Sequence, residues 1–87
     1  MSDPVGLAEA KAFLRVAHEG EDVLIQRLIA VATERLEKEL GRTLDAASPL
    51  PLKQALLAWV AHAFERGEGA RPAAVDGWIA PYRRPLV

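Results

Sequence analysis

Leu24, Leu28, Ala32, Leu36 and Leu40 recur at every fourth position, with Ile25 and Ile29 beside them. Gln26, Arg27, Glu34, Arg35, Glu37, Lys38 and Glu39 fill the intervening positions. A strand alternates its faces residue by residue, so only a helix gathers this set into one apolar stripe. Asp22 is placed to cap such a helix and Gly41 to end it. A helix over that interval is about 28 Å long, which dominates a chain of this size. Glu34–Lys38 and Arg35–Glu39 stand four apart on its polar side, worth a few tenths of a kcal/mol each.

Helical spacing recurs on both sides. Leu7, Ala10, Phe13 and Leu14 predict a first helix over about residues 7–16, with His18-Glu19-Gly20 after it. Its start has two readings: Ser2 or Asp3 caps it with Pro4 as the first helical residue, or Gly6 weakens that turn. The third helix begins at Pro51 or just before and runs to Arg66, with Gly67 as its stop. Leu52, Leu56, Trp59, Val60, Ala63 and Phe64 give it a wide apolar face, and Ala55, Ala58 and Ala61 make much of the remainder apolar too. A helix this apolar around its circumference is central to the fold or shared with a neighbouring subunit. Val75, Trp78 and Ile79 then form a short helical turn, which Pro81 is expected to stop.

No segment reads as a strand. The expected fold class is all-α: three main helices, a short C-terminal helical turn and an extended tail. The second and third helices pack antiparallel, with Leu28, Ala32, Leu36, Leu56, Trp59, Val60 and Trp78 in the core. The chain divides into a helical domain over residues 1–79 and a tail over 80–87.

Eighty-seven residues make one small domain, burying about 60–65% of its unfolded surface. The net charge of −1 argues against a binder held by phosphate contacts. Residues 1–40 carry five basic and eight acidic side chains, whereas residues 41–87 carry six and four. Copies could use this imbalance to stack head to side, although so small an asymmetry also arises by accident. The absence of cysteine excludes disulfides, thiolate metal sites and cysteine nucleophiles. No apolar run approaches the roughly eighteen residues needed to cross a bilayer. Met1-Ser2-Asp3-Pro4 lacks the basic and apolar regions of a signal peptide, which points to a cytoplasmic protein.

No catalytic constellation emerges, and the chain reads as a non-enzyme. His18 and His62 are the two histidines, and His62, set among alanines, reads as structural. They form no metal-ligand spacing with the carboxylates, so no metal or cofactor is expected. Glu34, Glu37 and Glu39 read as a solvated helix face. Gly67 and Gly69 lack the strand-turn-helix setting of a phosphate loop.

The end of the chain is the candidate binding element. Pro81 and Pro85 bracket Tyr82, Arg83 and Arg84, and Leu86-Val87 follow. Tyr and Arg are enriched at interface hot spots. Extended, residues 80–87 would span about 26 Å, enough to reach a partner. The reading from composition is that Trp78 and Ile79 pack at home while Tyr82 to Val87 reach out.

Several blocks in order resemble the small head-tail connector proteins of tailed phages. Leu7-Ala8-Glu9-Ala10-Lys11-Ala12-Phe13-Leu14-Arg15-Val16 comes first. Glu21-Asp22-Val23-Leu24-Ile25 opens the long helix, and Glu37-Lys38-Glu39-Leu40-Gly41-Arg42 closes it. Leu52-Lys53-Gln54-Ala55-Leu56-Leu57 leads to Phe64-Glu65-Arg66-Gly67-Glu68. The most specific block is Val75-Asp76-Gly77-Trp78-Ile79-Ala80-Pro81-Tyr82-Arg83-Arg84.

The resemblance implies a helical adaptor on the portal ring of a filled capsid. Its copies would form a ring, dodecameric on the portal, around the DNA exit channel. DNA would pass without sequence-specific binding, and a downstream stopper or neck protein would dock next. Pro81, Tyr82, Arg83, Arg84 and Leu86 are then the expected portal-binding residues. The protein would assemble in the host cytoplasm and end in the neck of a phage or phage-like particle, gene transfer agents included. The 42–50 loop is shorter than in longer family members, which removes any contact made through that extension. The alternatives are a small helical DNA-binding module, which the lack of a basic helix face disfavours, and an operon-encoded interaction protein.

Overall fold

The computed structural model describes residues 4–67 and 71–83. Four helices follow in order: α1 (Leu7–Leu14), α2 (Asp22–Leu40), α3 (Leu50–Arg66) and α4 (Ala73–Ile79), with a 3-10 turn at Ala80–Tyr82. No strand occurs among the described residues, and the fold is all-α. The 41–49 connection returns the chain so that α3 packs along α2, and α1 and α4 also pack on α3. Its apolar circumference is thereby used: α3 is the helix that touches all the others.

Ile25, Leu28, Ile29, Ala32, Leu36 and Leu40 bury one side of α2. Leu24, the first rung of the ladder, is instead 44% exposed. A helix turns about 100° per residue, so each four-residue step advances the stripe by about 40°. Across the ladder the drift carries Leu24 round to solvent, and Ile25 takes the buried position. From α3, Leu52, Ala55, Leu56, Leu57 and Val60 complete the core, with Val75 and Ile79 from α4. Trp59 and Trp78, expected inside, are half-buried rings packed on the core's margin.

The ends of the helices depart from expectation in instructive ways. α1 starts at Leu7 after Gly6, so Pro4 is not its first residue. Val5, ahead of the helix, is fully buried. α1 stops at Leu14 because Arg15 turns left-handed, at φ 60°. The Arg15 N–H then donates to the Ala12 carbonyl at 3.2 Å and the Val16 N–H to the Lys11 carbonyl at 2.9 Å. That pattern satisfies the last carbonyls of the helix. Asp22 makes no capping hydrogen bond, since it is already the first helical residue. Its carboxylate meets Lys11 Nζ at 2.7 Å and so ties α1 to α2. Gly41 ends α2 at φ 66°, a left-handed conformation that glycine adopts without steric cost.

The loop after α2 is tied to the body of the fold at Leu44. Leu44 enters the core, and its N–H donates to Glu37 Oε2 at 2.8 Å. Glu37 is thus not a bystander on a solvated face.

The C-terminal segment requires a larger correction. Residue 80 does not begin an extended tail: Ala80–Tyr82 continue α4 as a 3-10 turn. Proline is tolerated in a first turn because its missing N–H would be unpaired there anyway. The Arg83 N–H closes the turn on the Ala80 carbonyl at 3.3 Å, and only at Arg83 does the backbone become extended, at φ −71°, ψ 143°. The folded body therefore reaches Tyr82. Arg84, Leu86 and the rest of the expected tail lie outside the described residues.

Candidate docking site at the C-terminal turn

Four charged side chains meet beside the C-terminal end of α2. Glu39 comes from the last turn of α2, and Asp76 from the middle of α4. Arg71 precedes α4, and Arg83 follows the 3-10 turn. Arg71 Nη1 donates to Glu39 Oε1 at 2.5 Å, and Nη2 donates to Glu39 Oε2 at 2.9 Å and to Asp76 Oδ1 at 2.5 Å. Arg83 Nη2 donates to Glu39 Oε2 at 2.7 Å and to Asp76 Oδ1 at 3.0 Å. Each guanidinium bridges both carboxylates, and the two share Glu39 Oε2 and Asp76 Oδ1.

The two arginines are held unequally. Arg71 is 18% exposed and lies 5.1 Å from the centroid of the Trp59 ring. It has the planar fork on a carboxylate and the aromatic face that favour arginine over lysine. Arg83 is 45% exposed and is attached through one nitrogen. The hydrogen bonds from Arg71, foremost, hold the Glu39 carboxyl below its ordinary value of 4.5 against a smaller opposing effect of burial. The hydrogen bond to Glu39 in turn raises the Arg71 guanidinium above its ordinary value.

Of the expected docking residues, Pro81 is exposed and Tyr82 is half-buried against the core. The Arg42 guanidinium lies 5.9 Å from the Tyr82 ring centroid, within reach of a cation–π contact. Tyr82 and Arg83 therefore have partners at home, rather than reaching freely into solvent. Pro81, Tyr82 and Arg83 are brought together at one corner, while Arg84 and Leu86 lie outside the described residues. Sequence reasoning missed Glu39, Arg71 and Asp76. Glu39 lies 32 positions from Arg71 and 44 from Arg83, so no local spacing announces the cluster.

Elsewhere, His18 Nδ1 accepts the Gly20 N–H at 3.1 Å in a local turn, and His62 is half-buried on α3. No group of histidines and carboxylates suited to a metal occurs among the described residues. Among those residues no helix is long and apolar enough to cross a membrane.

The sequence profile of the phage gp6-like head-tail connector proteins matches residues 5–82. The chain belongs to this family. The match takes in all four helices and ends at Tyr82, on the 3-10 turn. Searches of curated proteins and of solved structures return no match. The family is one of structural connectors of the virion neck rather than of enzymes, and connector proteins work between head and tail components.

Proposed function

We propose that this connector is the adaptor that seats on the portal ring of a phage or phage-like particle. Its copies form a ring, twelve on the portal, that continues the DNA exit channel. DNA passes through without sequence-specific contacts, and a stopper or neck protein docks on the far side. The same reading covers phage, prophage and gene transfer agent. Assembly takes place in the host cytoplasm, on the filled head.

The observation that carries the reading is the family match over nearly the whole chain. The C-terminal corner supplies a means: Pro81 exposed, Arg83 partly exposed, and a backbone that turns extended at Arg83. The docking set is Pro81, Tyr82, Arg83, Arg84 and Leu86.

A pull-down against the portal protein of the same genome tests this. The intact chain should retain the portal, and a chain ending at Tyr82 should not. Equal retention by both would move the contact to the helical body, and retention by neither would remove the portal as partner.

A further inference from the structure

The unequal hold on the two arginines suggests different roles. Arg71 is forked onto Glu39, also reaches Asp76 and is covered by Trp59. Arg83 touches the same two carboxylates through Nη2 alone and is 45% exposed. If Arg83 leaves, Arg71 still bridges Glu39 and Asp76, so each carboxylate keeps one ion pair and the corner carries one net negative charge. Arg83 follows the last hydrogen-bonded turn, with extended backbone. Its side chain can swing outward without unwinding α4.

We infer that Arg83 is a transferable arginine, parked between Glu39 and Asp76 in the free chain and handed on docking to a partner surface that presents carboxylates. This rests on the reading that the C-terminal segment docks on the portal, and it specifies the chemistry of that contact. A guanidinium that already has two carboxylate oxygens gains nothing from an apolar pocket. The receiving surface must therefore offer at least an equivalent acidic pair. Glu39 and Asp76 then compete with the partner, and the apparent affinity is lowered by the fraction of chains whose Arg83 is parked.

The consequence is a gain on removing a native contact. Asp76→Asn takes away one competitor, and Glu39→Gln, a second variant of the same kind, takes away the other. An exposed pair of this sort corresponds to a roughly two- to five-fold change in a binding constant. Affinity for the purified portal ring is measured for wild type, Asp76→Asn, Glu39→Gln, Arg83→Ala and Glu65→Gln. Circular dichroism and melting confirm the fold of each. Glu65, exposed at the end of α3, controls for the change in net charge alone.

The expected result is about two- to five-fold tighter binding for Asp76→Asn, weaker binding for Arg83→Ala, and no change for Glu65→Gln. Weaker binding by Arg83→Ala with no gain from either carboxylate variant overturns the parking and leaves the portal reading standing. An equal gain from Glu65→Gln also overturns it, since the effect would then be net charge. No change with Arg83→Ala overturns both the parking and the place of Arg83 in the portal contact.

Discussion

Arg71 and Glu39 face each other as a two-pronged pair, with Nη1 and Nη2 of the guanidinium on the two oxygens of the carboxylate. The pair joins the approach to α4 with the end of α2, two segments separated in sequence by the whole of α3. Arg71 also stacks on Trp59 and reaches Asp76. Losing it leaves Glu39 and Asp76 with Arg83 alone. Arg71→Ala should therefore destabilise the fold by about 1–3 kcal/mol, more than an ordinary surface pair. Arg71→Lys keeps the charge but loses the fork and the flat stacking surface, and should recover less than half of that. Urea unfolding of the three proteins checks the order; a lysine variant as stable as wild type would show that charge alone suffices.

The same pair sets an acid limb to stability. Glu39 titrates below its ordinary value of 4.5 in the folded chain, chiefly through its hydrogen bonds with Arg71. A depressed carboxylate stabilises the fold above its unfolded value, and that contribution is lost as the pH falls through the lower folded value. The melting temperature should thus begin to drop below pH 4.5 and continue dropping as Glu39 becomes protonated. Glu39→Gln should be less stable at neutral pH and show a shallower fall on the acid side. Parallel acid limbs for the two proteins would assign the fall to other carboxylates.

Leu36 and Leu24 occupy the same ladder in the sequence but different environments in the fold. Leu36 is fully buried, whereas Leu24 is 44% exposed. Leu36→Ala removes buried methyl groups and leaves a cavity, costing about 2–5 kcal/mol. That approaches the whole stability of a domain this small, roughly 5–10 kcal/mol. Leu24→Ala should cost less than about 1 kcal/mol, because Leu24 is already 44% exposed and leaves no enclosed cavity. Denaturant midpoints for the two variants decide whether the drift of the stripe is as described.

The architecture was legible because the relevant signals are local. Apolar spacing of three and four marks α1 to α4, and Gly41 and Gly67 mark two ends. Three kinds of feature were not. A strict four-residue ladder carries no sign of helical drift, so the exposure of Leu24 at its first rung shows only in the fold. Isolated apolar residues in irregular segments carry no periodicity, so Val5 and Leu44 gave no sign of their burial. Long-range ion pairs leave no spacing either: local spacing pairs Glu39 with Arg35, whereas the fold gives it Arg71 and Arg83. Pro81 misled for a different reason. It stops an α-helix, yet it fits the first turn of a 3-10 segment, so the folded body extends to Tyr82.

Glu37 anchors the 42–50 loop through the N–H of Leu44, at 2.8 Å. A charged acceptor for a part-buried N–H is worth about 1.5–3 kcal/mol at most, and less where water can replace it. Glu37→Ala should lower stability by about 1 kcal/mol and speed exchange of the Leu44 amide about five-fold relative to amides in the middle of α2. Glu37→Gln, which retains an acceptor oxygen, should fall between the two. Unchanged exchange at Leu44 would mean that burial of its side chain holds the loop without the hydrogen bond.

Arg15 is the one non-glycine residue with positive φ among those described, at φ 60°. It is exposed, and its backbone closes α1 through the bonds of Arg15 and Val16 to Ala12 and Lys11. The left-handed conformation costs a residue with a side chain about 1–2 kcal/mol, whereas glycine adopts it freely. Glycine also gives up more freedom on folding, which offsets about 0.5–1 kcal/mol of the gain. Arg15→Gly should therefore stabilise the domain by roughly 0.5–1 kcal/mol, the reverse of most glycine substitutions. Arg15→Ala, with no relief of the backbone and no long side chain, should give no such gain. Thermal and urea unfolding of both variants separates the two effects. Equal stabilisation by alanine and glycine would trace the gain to loss of the arginine side chain and leave the left-handed end of α1 without measurable strain.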